Sequence, residues 1–428
     1  MSKTALLFIC MIGSGLYAQD LNYARHVIDT LSSPAYKGRG FVNNGDRKAA
    51  SFIAGEFEKL GLGRFNMNYQ QVFNIKVNTL PSNTDVTVNN KKLSPGTAFM
   101  VSSSSPTMKG TFQVIQAGKR ILNKQKRFDK FRTQKLSDKF VIIDSRGSKR
   151  KDLNELMKKI RLDNFLNAKG IIFIREGKLS WGTSTSGKVT DFLSLDVVRD
   201  SLPKKIKTIT VDIKNKFFDI YETQNVIAFL TGMAKPDSFI VFCAHYDHLG
   251  QMGNDVYFPG ANDNASGTAM VLNLARYFTQ ADNLPDYSLA FILFTGEETG
   301  LLGSEYYSEH PLFPLSKIKA LFNLDMVGSG SDGITVVNGD TMHTIYDKLV
   351  QINDTNKYLK TVKKRGQSCN SDHWPFFQKG VPAVFIYSMG SEFTEYHNIY
   401  DISQKLPLTK YNEIFRLLTD FTKSYNKN

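Results

Sequence analysis

Three short, uninterrupted apolar runs each end at an acidic or histidine-bearing segment, and this arrangement constrains the fold more than any other feature of the chain. Residues 239–244, 289–294 and 320–324 lead, respectively, to His245, to the adjacent pair Glu297 and Glu298, and to Asp325. Runs this short and this apolar are typical of strands that are buried on both faces of a mainly parallel sheet. Because the loops at the carboxyl ends of such strands converge, we expect these polar residues to meet at one edge of the sheet.

Two further segments carry residues of the same chemical type. The stretch GANDNASG at residues 260–267 contains Asp263 and leads into a predicted helix over residues 266–279, with Ser266 as its cap. The last segment places Tyr396 directly before His397. Together the five segments supply two imidazoles, two lone aspartates and a glutamate pair. Such a set can hold two divalent cations and still leave one carboxylate free as a general base.

The order and wording of these segments resemble the secreted zinc aminopeptidase family of di-zinc metallopeptidases, which also contains glutamate carboxypeptidases and glutaminyl cyclases. The stretches GANDNASG and GEETGLLGSE carry most of this resemblance, which extends over about residues 21–80 and 222–428. It implies two zinc ions. His245 and Asp325 would bind one ion, Glu298 and His397 would bind the other, and Asp263 would bridge both.

The resemblance also implies two catalytic side chains. Glu297 would be the general base that takes a proton from the attacking water, and Tyr396 would donate a hydrogen bond to the oxyanion of the tetrahedral intermediate. An imidazole that binds a metal usually donates its other nitrogen to a carboxylate, which fixes the tautomer. Asp247, two residues after His245, is the expected partner.

Three nearby residues leave alternatives open. His248 is a further metal candidate, but it falls outside the ligand pattern of the family. Asp401 could support His397 or could cap a following helix. Asp372, in the segment SDHWPF, resembles a recurring family segment that lines or supports the site, and support is the favoured role over catalysis.

The fold implied by the resemblance is α/β, with a central mixed, mainly parallel sheet flanked by helices, as in zinc exopeptidases of the phosphorylase/hydrolase-like type. At 428 residues the chain exceeds what one core usually supports, so two domains are expected. We predict a catalytic domain of residues 19–80 and 220–428. Residues 81–219 would form an inserted, smaller α+β domain that resembles the protease-associated domain, with strands at 139–144 and 168–174 and a helix at 153–167. This insertion would serve as a lid or access element, or would be purely structural.

Residues 1–18 are expected to be a secretory signal peptide. Lys3 precedes an apolar stretch over residues 5–12, and a segment ending at Ala18 follows as the cleavage region. The apolar stretch is too short to span a bilayer, and no other stretch approaches about 20 apolar residues, so no transmembrane anchor is expected. These features predict a secreted or periplasmic protein.

The formal net charge of +14 comes largely from the predicted insertion, where residues 109–170 carry 18 basic and 6 acidic side chains. A basic patch can bind nucleic acid or an acidic surface. Here the lysines are scattered among polar residues, without the interleaved aromatic side chains of a strand-binding groove. We therefore expect a solvated basic face and no nucleic-acid partner.

Three classes of function remain. The favoured one is an exopeptidase that removes amino-terminal residues from peptide or protein substrates. A carboxypeptidase or a glutaminyl cyclase on the same scaffold is the alternative. The cyclase works with one zinc ion, which the full set of five ligands argues against. A carboxypeptidase should carry arginines for the terminal carboxylate, and the only arginines near the motifs, Arg276 and Arg365, lack a matching context. A noncatalytic binding module is the third class, and the presence of Glu297 and of every ligand argues against it.

Overall fold

The computed structural model describes residues 20–425 with the exception of Ser186, so the predicted signal peptide lies outside the described residues. Within this range the strands form two eight-stranded sheets and a short hairpin. In chain order the strands are β1 (Gln70–Thr79), β2 (Thr84–Val88), β3 (Lys91–Lys92), β4 (Phe99–Val101), β5 (Met108–Gly118), β6 (Lys139–Asp144), β7 (Gly170–Arg175), β8 (Leu193–Val198), β9 (Thr208–Ile213), β10 (Lys216–Leu230), β11 (Lys235–His245), β12 (Gln251–Met252), β13 (Val256–Tyr257), β14 (Tyr287–Phe294), β15 (Ile318–Leu324), β16 (Gly333–Val337), β17 (Val362–Lys364) and β18 (Ala383–Met389).

The α-helices of the described range flank both sheets. In chain order they are α1 (Leu21–Leu31), α2 (Gly45–Lys59), α3 (Lys119–Leu122), α4 (Gln125–Arg132), α5 (Leu153–Asp163), α6 (Gly267–Phe278), α7 (Leu302–Glu309), α8 (His343–Asn356), α9 (His373–Gln378) and α10 (Tyr411–Ser424).

The first sheet has the strand order β1-β10-β14-β11-β15-β18-β16-β17. Its centre is parallel, because β11 pairs in parallel with both β14 and β15, and β15 pairs in parallel with β18. Antiparallel pairs lie towards the two sides, between β1 and β10, β10 and β14, and β16 and β18. The predicted mixed sheet is therefore confirmed, and the three apolar runs are its central strands β11, β14 and β15.

Strand β11 shows how the sheet becomes the middle of three layers. Ile240, Phe242 and Ala244 belong to a core that includes side chains of α1, α2, α6, α8 and α10. The intervening residues Val241 and Cys243 face a second core with side chains of α7 and α9. Successive side chains of a strand point to opposite faces, so an unbroken apolar run is what a strand covered on both faces requires.

The predicted helix that follows the Asp263 segment differs in detail. The predicted helix at 266–279 is α6, and Ser266 precedes it, but the Ser266 side chain makes no capping hydrogen bond. Its hydroxyl instead donates to the main-chain oxygen of Asn262 at 2.7 Å, which ties together the two ends of the loop that carries Asp263.

The second sheet has the order β3-β2-β9-β5-β6-β7-β8-β4 and consists of strands between residues 84 and 213. The predicted strands at 139–144 and 168–174 are β6 and β7, and the predicted helix is the shorter α5. One face of this sheet packs on α3, α4 and α5. The other face shares a core with Leu249, Met252, Val256 and Phe258, which lie in the loop between β11 and the Asp263 segment. The predicted division at residues 81 and 219 stays a prediction, but this packing places the second sheet beside the loops of the first.

Candidate metal centre

The three parallel strands at the centre of the first sheet end at nearly the same height. His245 at the end of β11 lies opposite Phe294 of β14, and Cys243 lies opposite Asn323 of β15. The segments that follow these strands therefore emerge side by side. This register brings Glu297 and Asp325 to His245 and places Glu298 beside them, at the carboxyl edge of the sheet that the sequence predicted.

Asp263 lies between the two predicted histidine ligands. Its Oδ1 is 3.4 Å from Nε2 of His245, and its Oδ2 is 3.0 Å from Nε2 of His397. The two oxygens of one carboxylate thus face two different imidazoles. This is the arrangement that a carboxylate shared by two metal ions requires.

On the His245 side, Asp325 completes a group of three possible ligands. Asp325 Oδ1 lies 3.4 Å from His245 Nε2 and is buried without a hydrogen-bond donor. The other oxygen, Oδ2, accepts a hydrogen bond of 2.8 Å from the hydroxyl of Ser371, which in turn accepts one from Asn323. Asp325 is therefore fixed at one oxygen and left with the other free to bind a cation. We call His245, Asp325 and the shared Asp263 the first half-site.

On the His397 side, Glu298 Oε2 lies 3.1 Å from His397 Nε2. The other oxygen of Glu298, Oε1, is 2.7 Å from Nδ1 of His248. Glu298, His397 and the shared Asp263 form what we call the second half-site. His248, Asp263 and Glu298 also place ligand atoms close enough to hold a metal ion, so the structure brings His248 into the site, although it falls outside the ligand pattern of the family.

Glu297 lies on the side of the first half-site. Its Oε2 is 3.9 Å from His245 Nε2, farther than the oxygens of Asp263 and Asp325. Adjacent residues of a loop point in different directions, and here the pair divides accordingly: Glu298 faces His397 and Glu297 faces His245. An alternative group of three ligand-type residues is His245, Glu297 and Asp325.

Asp247 is fully buried beneath both glutamates. The Nδ1 atom of His245 lies 3.1 Å from the main-chain oxygen of Asp247 and 3.7 Å from its carboxylate, so the main-chain oxygen is the acceptor of this hydrogen bond. The carboxylate instead accepts the main-chain N–H groups of Glu297 at 3.3 Å and Glu298 at 3.4 Å. Asp247 thus supports His245 through its backbone and the glutamate pair through its side chain.

The sequence analysis did not identify Arg39, whose side chain is completely buried behind the site. Its guanidinium donates to the main-chain oxygens of five residues at 2.6–3.2 Å: Leu31, Tyr246, Pro259, Gly260 and Asp263. It therefore ties the segment after β11 to the loop that carries Asp263. Gly260 is needed beside it, because a Cβ atom there would lie 2.6 Å from the guanidinium and 2.3 Å from the oxygen of Asp263.

Asp401 supports the same loop from the other side. Its carboxylate accepts the main-chain N–H groups of Asn262 at 2.8 Å and Asp263 at 3.1 Å. The sequence suggested that Asp401 supports His397 or caps a following helix. Asp401 instead holds the Asp263 loop, and α10 does not begin until Tyr411.

Asp372 is also buried behind the site. Its pKa is raised to about 7, and burial is the largest cause.

The side chains of the site are strongly coupled by charge. Burial opposes ionisation of Glu298, but the neighbouring imidazoles lower its pKa to about 2. Burial likewise disfavours the charged form of His397, yet Glu298 and Asp263 raise its pKa to about 11. Glu297 behaves in the opposite way, because burial and the negative charges of Glu298 and Asp325 raise its pKa well above the usual value, against the opposing effect of His245. One carboxyl of the adjacent pair therefore favours the anion, and the other readily holds a proton.

Tyr396 is half exposed at the mouth of the site, with 49% of its surface accessible. Its ring is stacked on the His397 imidazole, with centroids 3.8 Å apart and planes inclined by 17°. Burial, followed by the carboxylates of Asp263, Glu298, Asp325 and Glu297, raises the pKa of its phenol. The hydroxyl is thus within the electrostatic reach of the site and is a hydrogen-bond donor at neutral pH.

The donor set suits zinc. Each half-site offers one imidazole nitrogen, one carboxylate oxygen of its own and one oxygen of the shared Asp263, and zinc binds nitrogen and oxygen ligands of these kinds. The unpaired Oδ1 of Asp325 is an independent sign, because a buried oxygen without a donor is costly unless a cation occupies the space beside it. The residues present therefore fit two zinc ions, which stay a proposal.

Comparison with known proteins finds a family that matches part of the chain. Residues 225–422 match the family described as Peptidase family M28. The aminopeptidase YwaD of Bacillus subtilis (strain 168) is 31% identical over 185 residues, which are 40% of this chain and 37% of that protein. A probable leucine aminopeptidase of Arthroderma otae is 29% identical over 195 residues, or 44% of this chain and 54% of that protein. The chain thus matches only about a third to a half of the length of these two relatives.

The solved structure of a zinc aminopeptidase from Bacillus subtilis, called BSAP, has the same fold. It superposes with a TM-score of 0.70 over 93% of each chain, at 24% identity. Coverage of this extent includes strands of both sheets.

Among the described residues, none of the helices is both long enough and apolar enough to cross a lipid bilayer.

Proposed function

Residues 225–422 belong to peptidase family M28, and from this premise we propose that the chain is a zinc-dependent aminopeptidase that hydrolyses the first peptide bond of peptides or proteins. Relatives named as aminopeptidases support this activity. We further propose that the site holds two zinc ions and that the protein is exported by its predicted signal peptide to a secreted or periplasmic location. The region around the second sheet would be a protease-associated-like insertion.

One observation carries the proposal, namely the position of Asp263 between His245 and His397 at 3.4 Å and 3.0 Å. A single carboxylate that faces two imidazoles, each with a further carboxylate of its own, supports two metal ions rather than one. A glutaminyl cyclase needs only one zinc ion, and a noncatalytic module would not need Glu297 in addition to a full set of ligands. Both alternatives are therefore less favoured than a peptidase.

Two zinc ions, when bound, would lower the pKa of a water molecule and polarise the scissile carbonyl. Glu297 is the residue that would take the proton, because its carboxyl is largely buried beside the first half-site, faces His245 rather than His397, and has a pKa raised above the usual value. The same carboxyl would then return the proton to the leaving amine.

Tyr396 would stabilise the charge that develops on the substrate oxygen. Its hydroxyl stays protonated at neutral pH, and its ring is held by the stacked His397. A donor fixed in this way gains strength when the oxygen becomes negative, so it acts on the transition state more than on the bound substrate. The substrate would enter on the side of Tyr396, where the site is exposed.

The proposal is tested with three reporter peptides on the purified protein. The first has a free amino terminus, the second has the same sequence with a blocked amino terminus, and the third has a cleavable carboxyl-terminal residue. We expect cleavage of the first alone, its loss after chelation, and its recovery on addition of zinc. Asp263→Ala is the matched control and should lose both metal and activity. Cleavage of the third peptide with the first left intact would show a carboxypeptidase, and formation of pyroglutamate with one bound metal would show a cyclase.

A further inference from the structure

A loop of the second sheet reaches the site and contacts the second half-site directly. The loop joins β7 to β8, and the part that matters here is residues 178–183, which we call the contact segment. It lies more than 100 positions before Glu298 and His397 along the chain, so only the fold brings it to them.

The contact segment holds the backbone of Glu298. The hydroxyl of Thr183 donates a hydrogen bond to the main-chain oxygen of Glu298. Glu298 is thereby fixed at three points: by Thr183 at its main-chain oxygen, by Asp247 at its main-chain N–H group, and by His248 at the carboxylate oxygen Oε1. Of these three contacts, the one from Thr183 is the only one supplied by the second sheet's loops.

The contact segment also holds the loop that carries His397. The main-chain N–H of Trp181 donates to the main-chain oxygen of His397 at 2.8 Å. His397 has φ of 52°, a left-handed conformation that is unfavourable for a residue with a Cβ atom and persists only where its surroundings enforce it. Lys178 adds an ion pair with Glu395 and lies 5.2 Å from the ring centre of Tyr400, so it contacts the same loop on both sides of His397.

The contact segment is itself anchored away from the site. The indole N–H of Trp181 donates to the main-chain oxygen of Val101, at the end of β4, at 2.5 Å. The indole ring is stacked on Phe258, with centroids 4.8 Å apart and planes inclined by 9°. Trp181 therefore fixes the distance between the second sheet and the His397 loop.

The first half-site has no such contact among the described residues. Asp325 is held by Ser371 and Asn323, and His245 by the backbone of Asp247 and by Thr268, which donates to its carbonyl. These residues belong to the first sheet, its loops and the adjoining helix α6. The two half-sites thus differ in what supports them.

We propose that the contact segment positions the second half-site selectively, so that the second sheet sets the affinity of one metal ion and leaves the other to the first sheet. This rests on the proposed two-zinc site. Residues that orient metal ligands through hydrogen bonds typically change metal affinity by about 10- to 100-fold when they are removed. The role of Lys178, Trp181 and Thr183 is one of positioning, because none of them offers a ligand atom to the site.

The test measures zinc affinity of the full chain by competition with a chelator, without any substrate. The variants are Thr183→Val, which removes the hydroxyl and keeps the shape, and Lys178→Ala, which changes a largely exposed side chain. We expect the double variant to bind one zinc ion about 10- to 100-fold more weakly and the other with unchanged affinity. Thr183→Ser should restore the affinity, because serine keeps the donor.

Two reference variants identify the affected ion. His397→Ala should abolish the same ion that the double variant weakens, and Ser371→Ala should weaken the other ion. Thr190→Val is the matched control within the β7–β8 loop, because its hydroxyl donates to Ser104 and Phe192 rather than to Glu298. It should leave both affinities within about twofold. Thermal unfolding in the presence of a chelator checks that each variant is folded.

The outcomes separate this inference from the proposed function. Wild-type protein that binds two ions, together with a double variant that binds both as tightly as wild type, overturns the selective positioning and leaves the function intact. Equal weakening of both ions in the double variant overturns it as well. Wild-type protein that holds a single zinc ion under saturating conditions overturns the two-zinc site and the inference with it.

Discussion

The guanidinium of Arg39 donates a hydrogen bond of 3.2 Å to the main-chain oxygen of Asp263, from a position that solvent does not reach. Burial lowers the pKa of Arg39 to about 10, with nearby Asp401 and Asp263 acting in the opposite direction, so the group stays charged at neutral pH. Asp263, which faces both histidines, is therefore held through its main-chain oxygen by a buried cation. Its geometry depends on a residue more than 200 positions earlier in the chain.

We expect Arg39→Lys to destabilise the protein, because an ammonium group has three donors and cannot reach five carbonyl oxygens spread around a planar guanidinium. Each buried carbonyl left without a donor costs about 1–3 kcal/mol, so a loss of roughly 3 kcal/mol or more is expected. Thermal unfolding of the chelated protein measures it, and zinc affinity should fall at the same time. Arg47→Lys is the matched control, because Arg47 makes an exposed hydrogen bond to the carbonyl of Glu222 and lies over the Tyr221 ring, where a lysine can take its place. An Arg39→Lys protein as stable as this control would contradict the role of Arg39 in holding the five carbonyl groups.

The sequence predicted the centre of the first sheet well and the supports of the site poorly, for a physical reason. Unbroken apolar runs indicate strands β11, β14 and β15, because both faces of each strand are covered by other elements. The ligands follow them directly along the chain. Asp263 and His397 do not follow an apolar run. They were predicted from the resemblance of their sequence segments to those of a known family.

Arg39, Thr183 and Trp181 leave no comparable trace in the sequence. Each of the three has a partner that is a main-chain oxygen of a residue more than 100 positions away, and a backbone carbonyl has no sequence identity for a pattern to match. The placement of Arg39 between Gly38 and Gly40 was the one available signal. Both glycines pack so closely on Gly250 that a Cβ atom would lie 2.3 Å and 2.5 Å from its backbone.

His248 is expected to orient Glu298 rather than to bind metal. Burial lowers the pKa of its imidazole, so the ring is neutral and can donate from Nδ1 to Glu298 Oε1, at 2.7 Å. The amide nitrogen of asparagine occupies nearly the place of Nδ1, so His248→Asn should keep both zinc ions, whereas His248→Ala should weaken one by about 10- to 100-fold. Chelator competition measures both. A ligand role through Nε2 would make the two variants lose the ion equally, because neither side chain reaches that position.

The two glutamates should separate in their response to substitution. Glu297→Gln keeps the shape and removes the proton acceptor, so kcat should fall by about 10² to 10⁴ while both zinc ions are retained. Glu298→Gln should instead weaken one zinc ion, because Glu298 Oε2 faces His397 at 3.1 Å. Zinc content and kcat of the two variants are compared on the same preparations. The opposite pattern, with metal lost in Glu297→Gln and kept in Glu298→Gln, would reverse the assignment.

Asp46 makes the stability depend on pH away from the metal site. Its buried carboxylate accepts hydrogen bonds from Tyr221 at 2.8 Å and Thr223 at 2.9 Å, yet burial dominates and raises its pKa from 3.8 to about 6. A carboxyl with a raised folded-state pKa binds its proton more tightly in the folded protein. Its contribution to stability is therefore full below about pH 4, is lost as the pH rises to about 6, and stays lost above that value.

Asp46→Asn cannot ionise and should not lose this contribution. The stability of the variant relative to wild type should rise by roughly 3 kcal/mol between about pH 4 and pH 6, which corresponds to a pKa shift of about two units. Thermal unfolding of the chelated proteins at several pH values provides the measurement. Asp219→Asn, at an exposed ion pair with Lys76, is the control and should follow wild type. Parallel curves for Asp46→Asn and wild type would show that Asp46 ionises normally.

Tyr396 is expected to act through its hydroxyl, although its ring is also stacked on His397. Tyr396→Phe separates these two contributions, because phenylalanine keeps the stacked ring and lacks the donor. Oxyanion donors act mainly in the transition state, so kcat should fall by roughly 10- to 10³-fold, or about 1.4–4 kcal/mol, with KM affected less and zinc content unchanged. Tyr396→Leu, which loses the ring as well, should in addition weaken the zinc ion that His397 binds. An unchanged kcat in Tyr396→Phe would leave the stacked ring as the whole role of this residue and would assign stabilisation of the oxyanion to the metal ions alone.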